Sequence, residues 1–330
     1  MQRVKVHSTN DSKSIKSIRY LNKSFRSRKH ALNQKTIYLY CPESAVQEVL
    51  ACCEDYDFEV VINDYSLRTF SRKVICHYHS SMLDKEQKLF LIRAMEYGSW
   101  VEPLVSYLDD RNSYSEVKLL NSGYFLHQKA FSILSTQRNQ YIKRAIDLVL
   151  SLTALILLFP ILILVAIAIR LESKGSIIYK QMRVGQFNQE FNVFKFRSMV
   201  QNAENGKAQW AKKNDPRITK VGSFIRKTRL DELPQLINVI KGEMSLVGPR
   251  PEREVFITEL EKEIPYYRFR HSVKPGITGL AQVSYPYGDS IEDAIWKHKY
   301  DIYYIKHHTI LNDLVILIKT VKVVLFGMGR

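Results

Sequence analysis

An uncharged apolar stretch of 22 residues, from Leu148 to Ile169, constrains the fold of this chain more than any other feature. At a rise of ~1.5 Å per residue, a helix of this length can cross the ~30 Å hydrocarbon core of a bilayer. A helix that is apolar on every side is enclosed either by a large protein core or by lipid. The stretch therefore predicts a membrane helix, which we place over residues 140–175.

The middle and the flanks of this stretch bear on how it enters the membrane. Pro160 lies near its centre, where proline removes a backbone hydrogen bond and kinks a helix. Basic residues flank the stretch on both sides: Lys143 and Arg144 before it, Arg170 and Lys174 after it. A simple crossing usually has its Lys and Arg biased to one side. The pattern favours a kinked, re-entrant helix with both flanking domains on the cytoplasmic face, and leaves a simple crossing as the alternative.

The region before the membrane stretch predicts a basic arm followed by a small domain. Residues 1–35 hold ten Lys and Arg and one acid, which is typical of a disordered arm. In residues 36–135, short apolar runs (Thr36–Cys41, Phe58–Ile62 and Lys73–Tyr78) alternate with helical patterns, and Trp100–Leu108 predicts a further strand. This alternation predicts a parallel, Rossmann-like α/β domain. The turn after the first run, Cys-Pro-Glu-Ser-Ala, has no glycine, so we expect no dinucleotide binding and a non-catalytic role.

The charge balance narrows the class of partners. Lys and Arg number 49 against 33 Asp and Glu, a formal net charge of +16. Such an excess favours polyanions, which include nucleic acid, anionic lipid head groups and phosphorylated substrates. The membrane stretch argues against nucleic acid and for inner-membrane lipid and phosphorylated substrates.

Residues 176–330 predict a mixed α/β domain next to the membrane. Ser176–Met199 has the pattern of a β-hairpin that carries Lys195 and Arg197 near its end. The C-terminal stretch is apolar but interrupted by Asp313 and two lysines, which predicts an amphipathic helix at the membrane interface. An ordinary core helix is the alternative.

An adjacent acid pair, Asp231 and Glu232, stands between this hairpin and the C-terminal stretch. Asp near a helix N-terminus is a common cap, and Pro234 suits a first turn, so a capping role is one interpretation. The neighbourhood favours another, because the region is rich in cations and its Gly-Pro-Arg-Pro turn holds Arg250 between two prolines. Nearby basic residues are Lys195, Arg197, Arg226, Lys227, Arg229 and Lys241. Cations around two carboxylates predict a site for phosphate and Mg²⁺, in which a carboxylate can also attack phosphorus.

The chain from residue 143 onward resembles the bacterial sugar transferases that act on polyprenyl phosphate, the monotopic phosphoglycosyl transferases. The resemblance rests on motifs that occur in family order: KRAIDL, the apolar stretch broken by proline, YKQMRVG, FKFRSM, DPRITKVGSFIRKTRLDELPQLINVIKGEMSLVGPRP, KPGITGLAQV and YDIYYI. It covers about 190 residues. A weaker resemblance links the N-terminal domain to the α/β domain of the family's longer members.

The resemblance implies a reaction at the bacterial inner membrane. A UDP-sugar gives its sugar-1-phosphate to polyprenyl (undecaprenyl) phosphate and releases UMP, as the first membrane step of capsule, exopolysaccharide, O-antigen or glycoprotein glycan synthesis. The family's nucleophile falls on Asp231, and its neighbour Glu232 helps to hold Mg²⁺. The family's phosphate and nucleotide contacts and supporting acids fall on Lys195, Arg226, Arg250, Asp301 and Asp313. The proline of the family's re-entrant helix falls on Pro160.

A second hypothesis is a non-catalytic membrane scaffold whose basic surface binds anionic lipid. Such a scaffold would have no need for Asp231, Glu232 and Arg250 together. The sequence leaves open the identity of the sugar and the oligomeric state, a homo-oligomer included.

Overall fold

A computed structural model of the chain describes residues 3–4, 35–54, 56–67, 73–126, 137–201, 203, 215–286, 288 and 290–326. These residues form two compact units, Met1–Gln128 and Lys129–Arg330, here called the N-terminal and C-terminal units. The predicted membrane helix belongs to the C-terminal unit. Most of the predicted basic arm, residues 1–35, lies outside the described residues.

The N-terminal unit is built on a five-stranded sheet. Its strands are β1 (Arg3–Val4), β2 (Thr36–Tyr40), β3 (Glu59–Ile62), β4 (Val74–His77) and β5 (Trp100–Pro103), in the spatial order β1-β3-β2-β4-β5. Strands β2 to β5 pair in parallel, as predicted, and β1 adds an antiparallel edge. Ile37 and Leu39 on one face of β2 and Tyr40 on the other are fully buried, as expected because both faces of a parallel sheet are usually covered.

Helices α1 (Val46–Cys53) and α2 (Lys85–Glu96) lie between strands of this sheet. Helices α3 (Leu104–Asn112) and α4 (Ser122–Leu126) follow its last strand. Helix α2 begins with a capping box between Asp84 and Gln87, which satisfies backbone N–H groups at its start. The sequence predicted one strand through Trp100–Leu108, but β5 ends at Pro103 and α3 begins at Leu104. Proline suits this boundary because its fixed φ is compatible with the first turn of a helix.

The C-terminal unit begins with one long helix, α5 (Gln137–Glu172), which contains Pro160. Within it, Arg138–Glu172 is long and apolar enough to cross a membrane by length and composition. Val165 and Ile169 pack against Phe196 and Ile225, but many of its other apolar side chains face outward: Ile156 is 74% exposed and Leu164 is 66% exposed. Apolar side chains along a long helix that no other part of the described chain covers fit association with a membrane.

The rest of the C-terminal unit is a mixed α/β fold. Its strands are β6 (Ile178–Val184), β7 (Glu190–Phe196), β8 (Ser245–Val247) and β9 (Gly276–Thr278). Its helices are α6 (Lys220–Lys227), α7 (Gln235–Lys241), α8 (Glu254–Glu263), α9 (Leu280–Ser284), α10 (Ile291–Lys306) and α11 (Ile310–Phe326), with 3-10 helices at Leu230–Glu232 and Tyr267–Ser272. Strands β6 and β7 form the predicted antiparallel hairpin, and β8 pairs in parallel with β9.

The sequence left open whether the C-terminal stretch is an interfacial amphipathic helix or an ordinary core helix, and α11 has features of both. Asp313 and Ile316 are buried against the domain, whereas Leu311 and Ile318 are 60% and 69% exposed. One face therefore packs in the core and the other presents apolar side chains outward, as in an amphipathic helix.

The N-terminal end of α5 is fixed to the domain by three polar side chains. Lys143 Nζ lies 2.7 Å from Asp313 Oδ2. Arg144 donates to the carbonyls of Val239 and Ile240, at 2.5 and 2.8 Å, and so caps the C-terminus of α7. Asp147 accepts from Ser245 Oγ at 2.8 Å and from the Leu246 amide at 3.1 Å. The KRAIDL motif therefore acts as a clamp between the long helix and the domain.

The C-terminal end of α5 is fixed to the same domain. Arg197 Nη2 donates to the Ser173 carbonyl at 2.7 Å and to Ser173 Oγ at 2.9 Å. Glu172 accepts from the Val221 amide at 3.0 Å, in the first turn of α6, where a carboxylate complements the helix dipole. Both ends of the apolar stretch are thus held by one domain.

We predict that Asp147→Ala lowers the free energy of unfolding by about 3 kcal/mol, because the buried Ser245 hydroxyl and Leu246 amide lose their shared acceptor. Thermal unfolding in detergent, followed by circular dichroism, measures the change. The exposed carboxylate Glu263 provides a control, since Glu263→Gln should leave the midpoint unchanged. An Asp147→Ala midpoint equal to that of the wild type would show that this clamp does not stabilise the domain.

Candidate active site

The acid pair lies in a 3-10 helix, Leu230–Glu232, directly before α7. Arg229, just before it, has a left-handed backbone (φ 59°), which is uncommon for a residue other than glycine. Neither this turn nor α7 has a side-chain hydrogen bond at its N-cap, and the N-cap positions are Arg229 and Pro234. The capping interpretation of Asp231 is therefore wrong, because its side chain does not serve the helix ends next to it.

Glu232 is the anchor of the site. Its Oε1 accepts from Lys195 Nζ at 3.1 Å and from Arg250 Nη2 at 2.7 Å. Burial favours the neutral acid, but Arg250 and Lys195 outweigh it and hold the pKa of Glu232 well below its ordinary value. Burial also lowers the pKa of Lys195, and the charge of Glu232 opposes that shift. A carboxylate with two cationic partners is thus kept ionised inside the protein.

Asp231 has a different environment, although it is adjacent in sequence. Its Oδ1 is buried and has no hydrogen-bond partner among the residues that the structure describes. Burial, and then the charge of Glu232, raise the pKa of Asp231 to about 6, against the opposing charges of Lys195, Arg226 and Arg229. An under-coordinated buried carboxylate next to several cations is available to a phosphate, a metal ion or a proton.

Contacts between the Asn238 side chain and the backbone of β7 place Lys195 opposite the acid pair. Asn238, on α7, accepts from the Phe194 amide at 3.0 Å and donates to the Asn192 carbonyl at 2.7 Å. This amide side chain joins the edge of β7 to α7, so the strand that carries Lys195 and the helix that follows Asp231 keep a fixed distance. No motif in the sequence indicated this role of Asn238.

Four of the predicted cations act on the acid pair. Lys195 and Arg250 bind Glu232, and the charges of Arg226, in the last turn of α6, and of Arg229 act on Asp231. Arg197 instead binds the C-terminal end of α5. Asp301 and Asp313 also have partners away from the acid pair.

Asp301 is almost fully buried and pairs with Arg270 at 2.7 Å. Burial raises the pKa of Asp301 to about 6, and Arg270 opposes that shift. Asp313 accepts from Lys143, from Tyr304 Oη at 2.8 Å and from His308 Nε2 at 3.0 Å. Both acids thus support the domain around the site. Sequence reasoning missed Arg270, which carried no motif signal of its own.

The donor set suits a hard divalent cation. Mg²⁺ is usually held by one or two carboxylates together with substrate phosphates, and the site offers Asp231 and Glu232. No group of three His, Cys, Asp or Glu able to hold a metal occurs among the described residues. The buried Asp231 Oδ1 is the oxygen that lacks a protein partner, so the residues fit a Mg²⁺ ion that is shared with a phosphate ligand.

Comparison with known proteins agrees with this geometry. The sequence profile described as "Bacterial sugar transferase" matches residues 138–327. A protein of Aeromonas hydrophila named UDP-N-acetylgalactosamine-undecaprenyl-phosphate N-acetylgalactosaminephosphotransferase is 44% identical over 205 residues, which cover 62% of this chain and 48% of that protein.

Two further relatives have the same kind of name. The UDP-glucose:undecaprenyl-phosphate glucose-1-phosphate transferase of Klebsiella pneumoniae is 44% identical, over 56% of this chain and 40% of its own length. The undecaprenyl-phosphate galactose phosphotransferase of Salmonella typhimurium is 43% identical, over 58% of this chain and 42% of its own. The chain thus spans less than half the length of these relatives. Because the profile match covers more than half of the chain and includes the acid pair, the chain belongs to the bacterial sugar transferase family.

Proposed function

We propose that this chain transfers sugar-1-phosphate from a UDP-sugar to polyprenyl (undecaprenyl) phosphate and releases UMP. The observation that carries the proposal is that the two adjacent acids have different hydrogen-bond partners. Glu232 accepts from two cations, while the buried Asp231 Oδ1 has no partner among the described residues. The names of the relatives, which specify undecaprenyl phosphate and three different sugars, support the substrate class.

The reaction proceeds in two displacements at phosphorus. An oxygen of the ionised Asp231 carboxylate attacks the phosphorus that bears the sugar, and the bond from that phosphorus to the bridging oxygen breaks. UMP leaves with that oxygen, and an aspartyl-phosphosugar remains. A phosphate oxygen of polyprenyl phosphate then attacks the same phosphorus, the bond to Asp231 breaks, and the carboxylate is regenerated. Covalent catalysis divides one difficult transfer into two easier ones.

The surrounding side chains bind and orient the phosphates. Arg250 is 31% exposed, so its guanidinium can contact a substrate while Nη2 stays on Glu232. Arg226 and Lys195 provide further positive charge, and charge-assisted contacts stabilise the developing negative charge. Mg²⁺, held by Asp231 and Glu232, would neutralise the diphosphate when bound.

We further propose that α5 is re-entrant and that both flanking parts lie on the cytoplasmic face of the bacterial inner membrane. Its two ends bind a single domain, through Asp147 and Lys143 at one end and Arg197 and Glu172 at the other. A helix whose ends share a domain enters and leaves the bilayer on the same side. The outward-facing side of α11 then lies at the interface, where its exposed leucine and isoleucine side chains meet lipid.

We propose that the N-terminal unit is a Rossmann-like domain and that its role is not catalytic. The turn after β2 contains Pro42 and no glycine, and a phosphate-binding turn needs glycine for close approach of the backbone.

We predict that Asp231→Asn reduces UMP release by at least about 1,000-fold, because an amide oxygen is a poor nucleophile toward phosphorus. The assay is a UMP-release screen over a panel of UDP-sugars, with polyprenyl phosphate and Mg²⁺, on the purified membrane protein. Glu263→Gln is the matched control and should keep wild-type rates.

Full activity of Asp231→Asn would refute the assigned nucleophile. A wild type that binds anionic vesicles but releases no UMP from any UDP-sugar would favour the scaffold instead.

The re-entrant topology predicts labelling of both ends of α5 from one side. Tyr141 and Leu171 are 75% and 82% exposed, so Tyr141→Cys and Leu171→Cys, each in a chain whose four cysteines are replaced by alanine, provide reporters. An impermeant maleimide should label both in inside-out vesicles and neither in intact spheroplasts. Labelling of one position in each preparation would show that the helix crosses the membrane.

A further inference from the structure

The turn that carries Arg250 loses its backbone support where it approaches the acid pair. Up to Pro249 the chain is held by backbone bonds: the Gly248 amide donates to the Thr278 carbonyl and the Gly276 amide donates to the Pro249 carbonyl, both at 2.9 Å. Pro249 and Pro251 have no N–H, so a strand-like ladder cannot continue through Arg250.

Close backbone packing explains why the first part of this turn is fixed. A Cβ on Gly276 would lie 2.1 Å from the Gly248 nitrogen, and a Cβ on Gly279 would lie 2.2 Å from the Gly248 oxygen. Only glycine permits such an approach of two chains. The close packing thus fixes the turn at Gly248, the backbone bonds extend to the Pro249 carbonyl, and Arg250 is the next residue.

Two arginine side chains take over where the backbone bonds end. Arg270 Nη2 donates to the Arg250 carbonyl at 3.1 Å. Arg183 Nη1 donates to the Pro251 carbonyl at 3.2 Å and to Glu252 Oε2 at 3.1 Å. Guanidinium groups thus replace backbone amides as donors to two successive carbonyls on either side of the Arg250–Pro251 bond.

Arg270 is the more enclosed of these two arginines. The side chains of Arg270 and Asp301 are only 3% and 2% exposed, and they pair at 2.7 Å through the same Nη2 that reaches the Arg250 carbonyl. Arg270 Nη1 donates to Tyr267 Oη at 2.6 Å. A buried ion pair adds little stability by itself, since desolvation offsets its attraction, so its geometry is the more informative property. Here the pairing with Asp301 directs Nη2 of the Arg270 guanidinium at the Arg250 carbonyl.

We infer that Arg270 is a positioning residue for Arg250, held in place by Asp301. The pair fixes the Arg250 backbone, and the Arg250 side chain can then reach Glu232 and the phosphates of the substrate. A lysine could not serve all three partners in the same way, because its single ammonium lacks the fixed fork in which Nη2 binds Asp301 and the Arg250 carbonyl while Nη1 binds Tyr267 Oη. The inference rests on the proposed function, since it assigns Arg270 a role through a residue of that site.

A double-mutant cycle tests this inference. UMP release is measured for the wild type, Arg270→Lys, Arg250→Ala and the double variant. If Arg270 acts through Arg250, Arg270→Lys lowers kcat/KM by about tenfold in the wild-type background, as expected for one charge-assisted hydrogen bond. In the Arg250→Ala background the same change costs less than about twofold, because residues that act through one group are not additive.

Arg268→Lys is the matched control. Arg268 lies in the same 3-10 helix but pairs with Glu254 and Glu261 at the surface, so its change should leave kcat/KM unaltered in both backgrounds. If Arg270→Lys fails to fold in detergent, Asp301→Asn takes its place in the cycle, with the same expected pattern.

Equal losses in both Arg250 backgrounds would overturn the inference, because they would show a general structural effect. A wild type without turnover would overturn the proposed function and this inference with it. Wild-type turnover combined with additive losses would overturn the inference alone.

Discussion

The C-terminal unit of this protein depends on one buried carboxylate with two cationic partners. Glu232 accepts from Lys195 and Arg250, and so joins the hairpin, the acid turn and the Gly-Pro-Arg-Pro turn, which are far apart in sequence. Buried cations are costly unless they are paired, so the three segments stabilise one another. Glu232 binds both cations, whereas Asp231 Oδ1 next to it is buried and has no partner among the described residues. One carboxylate thus supports the structure, and we propose that its neighbour reacts.

A short helix connects this pair to the membrane segment. The turn with Asp231 leads directly into α7, and Arg144 of the long apolar helix caps the other end of α7 through the Val239 and Ile240 carbonyls. Helix α7 has only seven residues, so the clamp on the apolar helix and the acid pair are separated by about 10 Å of rigid backbone at 1.5 Å per residue. In the reaction that we propose, this short connection keeps the acid pair close to the membrane segment that would meet the lipid-borne phosphate.

The sequence predicted the elements well and the supporting contacts poorly. Apolar length identified α5, alternation identified the parallel sheet and the hairpin, and clustered charge identified Asp231, Glu232, Lys195 and Arg250. The strand predicted through Leu108 failed because a proline starts a helix there, and a capping role for Asp231 failed because the turn before α7 is a separate 3-10 helix. The pairing of Arg270 with Asp301 could not be predicted from the sequence, because residues 31 positions apart meet only through the tertiary fold.

The central claim is that Asp231 carries the sugar phosphate during turnover, and a covalent adduct tests it most directly. The purified protein is incubated with a UDP-sugar that it turns over and with Mg²⁺, but without polyprenyl phosphate, and is then quenched and analysed by intact and peptide mass spectrometry. We expect a mass increase of one sugar phosphate on the peptide that contains Asp231, loss of this adduct when polyprenyl phosphate is added, and no adduct in Asp231→Asn. An adduct on another residue, or UMP release that always requires polyprenyl phosphate and leaves no adduct, would refute the role of Asp231 as the nucleophile.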